Sequence, residues 1–556
     1  MLSKEELQMV EEFRNTLENE KRPLLAKWKK IAPYIGIAYG DWGNDPNNVK
    51  YPEYQNTDST MMTASKTLAD GIEGYACSNN MDWFDFEVVD YGKTEDGRQN
   101  DPRLVQSLFQ KGKKGVYQIL AEADFYDEAR SVFRSGCDLA TGVMTMSFDK
   151  TKGRCRYTTT HLKDVLPSCD EYDEVDSVMR YVYLTKKQAQ RFFGKDTELP
   201  QAIKDCEKPL EKFCFINFVA PVVNWDFNIQ GDGDMFSIWY YEKDTERTLK
   251  EERIPLKNFA CWRYSRPIYG GTWGVDSPGM MAYPMAHFLN ILIEDYITLS
   301  ELQAKGIWKK TKGLSVNFKA GAINELEANQ DFGQVAPNGD LSWLQLQIDH
   351  YRKVINEMYN TDLFLVLTQN IERTKTATEV SGIENEKNNL MAAFFTRLAR
   401  EFLEPVVMWT FQTALMNKMI PDVTLEEIKV LETLDFRVKF VSPSFRAQEK
   451  AFELTSTMQW MNDLISLAQV KSEILDRFDW DRFAELDHQI RHAKAELLVP
   501  MDKAEKVREA RAQAYAEELN RAKSADALGQ LGDAYQKFSK APEQGSVAQA
   551  LVGGGR

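Results

Sequence analysis

The chain has 556 residues, 43% hydrophobic, 28% charged and 12% aromatic, which excludes a disordered, collagen-like or disulfide-stapled chain and leaves a large globular protein. At about 150 residues per domain the length predicts three or four units, or one elaborate chain with inserted segments. The net charge of −15, from 69 Lys and Arg against 84 Asp and Glu, disfavours a surface that grips nucleic acid by bulk charge.

In chain order, Ser3 and Glu6 form a capping box that opens a helix to about Lys21, and Pro23 is expected to start a second helical piece. Residues 36–56, rich in Gly, Asn, Asp and Pro, read as a loop. Asp58 is placed to cap the next helix, where Met61, Ala64, Leu68, Ile72 and Tyr75 recur at helical spacing, and DWFDFEVVD reads as a strand. A helical pair is expected from Pro102 to Gly136. From Val143 to Trp262 come short strands with one helix stopped by Gly194.

From Pro278 a strong helix begins, followed by an irregular insertion over about 306–342. A second helix, about Leu344 to Asn360, sets Leu344, Ile348, Tyr351, Ile355 and Met358 on one face. Two helices of similar length around a compact insertion predict an antiparallel pair with a small domain at its tip. Thr376 and Glu379 cap a further long helix that Pro405 must kink or restart. A strand, FRVKFVSP, precedes a helical C-terminal third from about Arg446, and from about Ser524 the composition drifts towards a Gly- and Ala-rich tail.

The search for chemistry is empty. No G-x-x-x-x-G-K-[ST] string is present, so a phosphate-cradling loop is not expected. His488 and His492 are one helical turn apart but lack the glutamate of H-E-x-x-H. Asp226, Asn228, Gln230 and Gly231 imitate a calcium loop whose twelfth position is Ser237 where Glu is required, so a β-hairpin turning at Gly231 and Gly233 is the preferred reading. Seven scattered cysteines without a C-x-x-C pair read as reduced, mostly buried thiols. No apolar stretch reaches the ~20 residues of a membrane span. The charged N-terminus predicts no secretory signal and a cytoplasmic site of synthesis.

Seven strings in colinear order, from about Lys27 to Arg511, resemble the head-to-tail connector, or portal, proteins of short-tailed bacteriophages. AKWKKIAPYI is similar to the family's Trp-centred helix. NTDSTMMTASKTLADGIEGYACSNNMDWFDFEV resembles its DST, LA-x-G-x-x-G and closing Trp-Phe stretch. ADFYDEARSVFRSGCDLATGVM and VMRYVYLTKKQAQRFFG are similar to the next two blocks. ACWRYSRPIYGGTWGVDSPGMMAYPMAHFLN looks like the run that leads into the stem helix, ERTKTATEVSGIENE like the start of the long helix, and LLVPMDKAEKVREARAQ like the closing Val-Pro block. Residues 77–80 depart from the usual Thr-Ser-Pro run, and glycines surround Trp273.

The resemblance implies a mainly helical α+β portal fold assembled as a homo-oligomeric ring of about twelve subunits, without catalytic centre, metal or cofactor. The wing would comprise 1–277 and 361–445, the stem helices 278–305 and 344–360, the clip 306–343 and the crown 446–523, with 524–556 a flexible tail. It also implies a virion protein at the capsid's portal vertex, assembled in the host cytoplasm and not in a membrane. Double-stranded DNA would pass through its channel during genome packaging and ejection. Its other partners would be the terminase motor, tail adaptor or nozzle proteins, and major capsid and scaffold proteins. The resemblance places a tunnel loop at about 367–376, with Gln369, Asn370, Glu372, Arg373, Thr374 and Lys375 as candidate DNA-facing residues. Trp308, Lys309, Lys310 and Lys312 are candidate clip contacts to motor, adaptor or DNA, with clip core for the Trp and edge protection for the lysines as the equal alternative. At −15 each, about twelve copies total roughly −180, a wall that repels phosphate and keeps DNA mobile. Competing readings are another virion ring or neck protein and an acidic intracellular hydrolase.

Overall fold

The structure, a computed structural model, describes residues 4–36, 42–43, 45–48, 56–90, 102–194, 197–221, 236–242, 247–268, 270–317, 319, 323–335, 339–361, 394–421, 423–432 and 434–440. The chain divides into two compact units, Met1–Arg446 and Ala447–Arg556, and every described residue belongs to the first. The described residues form an α+β fold with twelve strands in four sheets.

Helix α1 (Lys4–Ile35) is continuous, so the predicted break at Pro23 is corrected. A proline removes one N–H from the helix and crowds the carbonyl four residues back. The helix survives because each half is held by its own core. Leu7, Val10 and Leu17 pack with Ile216, Phe218, Trp239 and Tyr241, whereas Trp28, Ile31 and Ile35 belong to the larger core. Between them Lys21 is buried, its Nζ donating to the carbonyls of Lys163 (2.6 Å) and Val165 (2.9 Å). Burial lowers its pKa to about 7, against opposing pulls from Asp164 and Glu18.

Helix α2 (Thr60–Ala76) starts one residue later than Asp58 as cap would give: Ser59 is the cap residue, while Asp58 Oδ1 still accepts from Thr60 N at 2.8 Å. Met61, Ala64, Leu68 and Ile72 are buried and Tyr75 stacks on Phe395. Strand β1 (Phe84–Asp90) pairs antiparallel with β12 (Asp435–Phe440), and helices α3 (Pro102–Glu122) and α4 (Phe125–Leu139) follow as expected.

A three-stranded sheet of order β3-β2-β9 joins β2 (Thr141–Asp149), β3 (Arg154–Thr160) and β9 (Phe259–Arg263). An antiparallel five-stranded meander runs through β4 (Val165–Cys169), β5 (Val175–Thr185), β6 (Lys212–Pro221), β7 (Phe236–Glu242) and β8 (Arg247–Ile254). After β5, Thr185 and Gln188 form a capping box for α5 (Lys186–Phe193), which stops at Gly194 with φ +97°. A short helix, α6 (Gln201–Lys204), was not expected. Strands β6 and β7 pair as the predicted hairpin, with Ser237 opposite Ala220, so the position a calcium loop would fill with Glu is a ladder residue. Asp226, Asn228, Gln230, Gly231 and Gly233 lie outside the described residues.

All seven cysteines are free. Burial pushes the Cys155 and Cys261 thiols up to about 12, which keeps them protonated and inert.

Candidate functional site

Two helices, α7 (Pro278–Lys305) and α8 (Leu341–Met358), are joined by 306–340 and pack as a pair. Ser277 Oγ accepts from Met280 N, and Pro278 occupies the first turn, where its missing N–H costs nothing. Asp340 Oδ1 caps α8 by accepting from Ser342 N (2.8 Å) and Trp343 N (3.4 Å), so α8 starts three residues before the expected Leu344. Gln303 Nε2 reaches the Gly339 carbonyl, and Phe288 meets Tyr351 edge-on at 5.1 Å further down; the helices are antiparallel. Ile348 and Ile355 are buried, and Leu344, Tyr351 and Met358 pack against the core, as the apolar spacing predicted.

The base of the pair converges on Asp138, which is fully buried on α4. Its carboxylate accepts from Tyr359 OH (2.9 Å), just beyond α8, and from Ser65 Oγ (2.7 Å) on α2. Its backbone carbonyl accepts from Ser277 Oγ at 3.2 Å, and Gly279 lies so close that a Cβ there would be 2.3 Å from that carbonyl oxygen. Arg352 on α8 adds a 2.8 Å ion pair to the buried Asp58 carboxylate. Four helices thus meet through one carboxylate and one glycine.

At the far end, β10 (Ile307–Lys310) pairs antiparallel with β11 (Phe332–Val335). Trp308 is half-exposed, stacks on Phe332 with ring centroids 5.1 Å apart, and donates its Nε1–H to the Lys305 carbonyl. Lys309 pairs with Asp331 at 2.9 Å, Lys310 donates to the Leu314 carbonyl at 3.0 Å, and Lys312 is exposed. The four predicted clip residues therefore share one small hairpin. Along the same stretch of chain Ile297, Ile323, Trp343 and Leu346 are also exposed.

A second anchor escaped sequence reasoning. Residues 394–398 are helical, Ala399–Leu403 form a π-helical turn, and α9 (Glu404–Met416) restarts with Pro405 in its first turn. The proline break is thus taken up by a turn that needs no α-helical N–H at that point. Glu401 in the turn accepts from Arg263 N and Nη2, both at 2.8 Å, and from Arg266 Nε at 3.0 Å. Arg263 is fully buried, and its other Nη2 contact is the Asp173 carbonyl at 2.7 Å. No motif marks a pair 138 residues apart in sequence. A last helix, α10 (Leu425–Glu432), was also unpredicted.

Gln369, Asn370, Glu372, Arg373, Thr374 and Lys375, the box of Thr376 and Glu379, His488, His492 and all of 446–556 lie outside the described residues. Among the described residues no helix is long and apolar enough to cross a membrane, and no group of His, Cys, Asp and Glu is arranged to hold a metal.

The family model described as bacteriophage head to tail connecting protein matches residues 7–490. The chain belongs to that family. The portal resemblance read from seven short strings therefore holds, and with it a structural role at the junction of phage head and tail. Two relatives agree along nearly their whole length: a probable portal protein of Bordetella phage BPP-1, 25% identical over 530 residues, and the portal protein of Salmonella phage epsilon15, 23% identical over 526, each match covering 89% of both chains.

Proposed function

We propose that this connecting protein is the subunit of the portal ring at one vertex of the phage capsid, through whose channel genomic DNA is packaged and later ejected. The observation that carries the reading is the family match across 7–490, supported by similarity to a portal protein and a probable portal protein over 89% of each chain. In this reading α7 and α8 are the stem, the β10–β11 hairpin with its surroundings is the clip, the sheets and helices before α7 together with 361–445 form the wing, and 446–523 form the crown. The ring holds about twelve copies, each contributing a tunnel loop near 367–376. Its acidity suits a bearing: a wall that repels phosphate leaves DNA free to slide. The clip's Trp308 and lysines face the terminase motor during packaging and the tail adaptor afterwards, while scaffold and capsid proteins meet the wing.

Native mass spectrometry with negative-stain class averages tests this. A closed ring of about twelve subunits with a central channel is the expected result. Failure to close at high concentration and with scaffold protein present would overturn it.

A further inference from the structure

Copies of a chain at −15 repel one another unless local surfaces of opposite sign meet. An open groove of about 1150 Å³ lies between the β2–β3 turn, β5 with α5, strands β7–β8 and the end of α9. Seven of its lining side chains are cationic and two acidic, a surplus of 7 − 2 = 5 positive charges. Both acids are already paired within the wall, Asp149 with Arg156 at 2.8 Å and Glu252 with Lys250 at 2.9 Å. Lys150, Lys152 and Arg191 are exposed. Arg180 is fixed by neutral acceptors, Asn217 Oδ1 at 2.8 Å and Thr145 Oγ1 at 2.7 Å, so its charge stays uncancelled. Phe192 and Met416 leave apolar surface open beside these cations.

The complementary shape is the turn between β4 and β5. Residues 170–176, DEYDEVD, hold five acids in seven positions, of which Glu174 already pairs with Arg400, and Tyr172 at the tip is 76% exposed. The turn is preorganised: Asp170 Oδ1 accepts from Tyr172 N (2.9 Å) and Glu174 N (2.8 Å), and the buried Arg263 grips the Asp173 carbonyl. At about 3.3 Å per residue, β5 carries Arg180 roughly 17 Å and Leu184 roughly 30 Å from its start beside this tip. A tip cannot reach its own groove. Two complementary surfaces held apart on one rigid sheet make a head-to-tail contact, and such contacts close into rings when the rotation allows.

We propose that the acidic β4–β5 tip of one subunit docks, Tyr172 first, into the basic groove of the next copy, and that this contact propagates the ring; it rests on the ring reading above. The tip brings carboxylates to the cations and an aromatic ring to Phe192 and Met416. A phosphate backbone would satisfy only the first.

The test is ring formation by the full chain, followed by native mass spectrometry and negative stain. A groove variant, Lys152→Glu with Arg191→Glu, and a tip variant, Glu171→Lys with Asp173→Asn, should each lose rings while keeping the wild-type circular dichroism and Tm. Combining all four changes in one chain should restore rings in part, since the lysine introduced at the tip then faces the glutamates introduced in the groove. Wild-type rings that survive either variant, or a combination that restores nothing, overturn the proposal alone. Unchanged rings in a groove variant that has lost retention of a short DNA duplex also overturn it, and assign the groove to nucleic acid. A wild-type chain that never closes, even with scaffold, ends the ring reading and this contact with it.

Discussion

The two ends of the α7–α8 pair are built on opposite terms. Every buried residue of α7 lies among its first fifteen residues, from Pro278 to Leu292, where Gly279, Ala282 and Ala286 let backbones approach and Asp138 ties four helices together. At the other end a ladder of four residue pairs carries the half-exposed Trp308, and Ile323 and Trp343 in the flanking chain are exposed too. The base is finished as a single chain, while the tip has surface left over for something else to cover. Stability and interaction are thus separated along the same two helices, and a substitution's effect should depend on its height along the pair.

The most damaging single change should be Asp138→Ala, which strands Ser65 Oγ and Tyr359 OH in a dry site; a loss of about 3–5 kcal/mol is expected from denaturant unfolding. Gly279→Ala drives a methyl into the Asp138 carbonyl and should cost about 1–3 kcal/mol, with a lowered Tm and faster proteolysis at the start of α7. A similar result for Gly339→Ala at the tip would break the contrast, because there the added methyl meets the flexible side chain of Leu299.

The buried side of the molecule should also be recognisable by pH. Lys21 holds its proton only up to about pH 7 in the folded chain and to its ordinary value near 10.5 when unfolded. Between these values the unfolded state binds the extra proton, so stability climbs as pH rises through the window, by up to a few kcal/mol; below about 7 the cost of burying the ammonium is fully present. Lys21→Met should abolish that climb in paired unfolding curves at pH 7 and pH 9.5. At the tip, Trp308→Ala should change the subunit's stability by less than about 1 kcal/mol while weakening co-sedimentation of rings with the packaging motor or tail adaptor. Lys309→Ala, which loses one exposed ion pair to Asp331, should shift stability by no more than about 0.5 kcal/mol.

Much of the pair was legible before any coordinates. Pro278 marks a helix start, and the spacing of Leu344, Ile348, Tyr351 and Ile355 announces the face that packs. The base was not legible, because a buried carboxylate is recognised by its partners, and the hydrogen-bond donors to that of Asp138 come from residues 65 and 359. Pro23 misled for a related reason: the local breaker signal is real, but contacts with two separate cores override it. The four residues on the β10 hairpin were singled out as a string, whereas the groove cations, gathered from three strands, a helix and the turn after β2, have no sequence signature.

The ladder between β1 and β12 joins residues 84–90 to 435–440, about 350 positions later. Phe86 meets Phe411 and Phe436 across that gap, at 4.8 and 5.5 Å. During synthesis at about 5–20 residues per second, the first strand therefore waits roughly 20–70 s for its partner. Over that interval an unpaired edge and a cluster of aromatic rings stay open to the cell. The closing of this one ladder therefore comes late in the folding of each nascent chain, after nearly all of the described residues have been made.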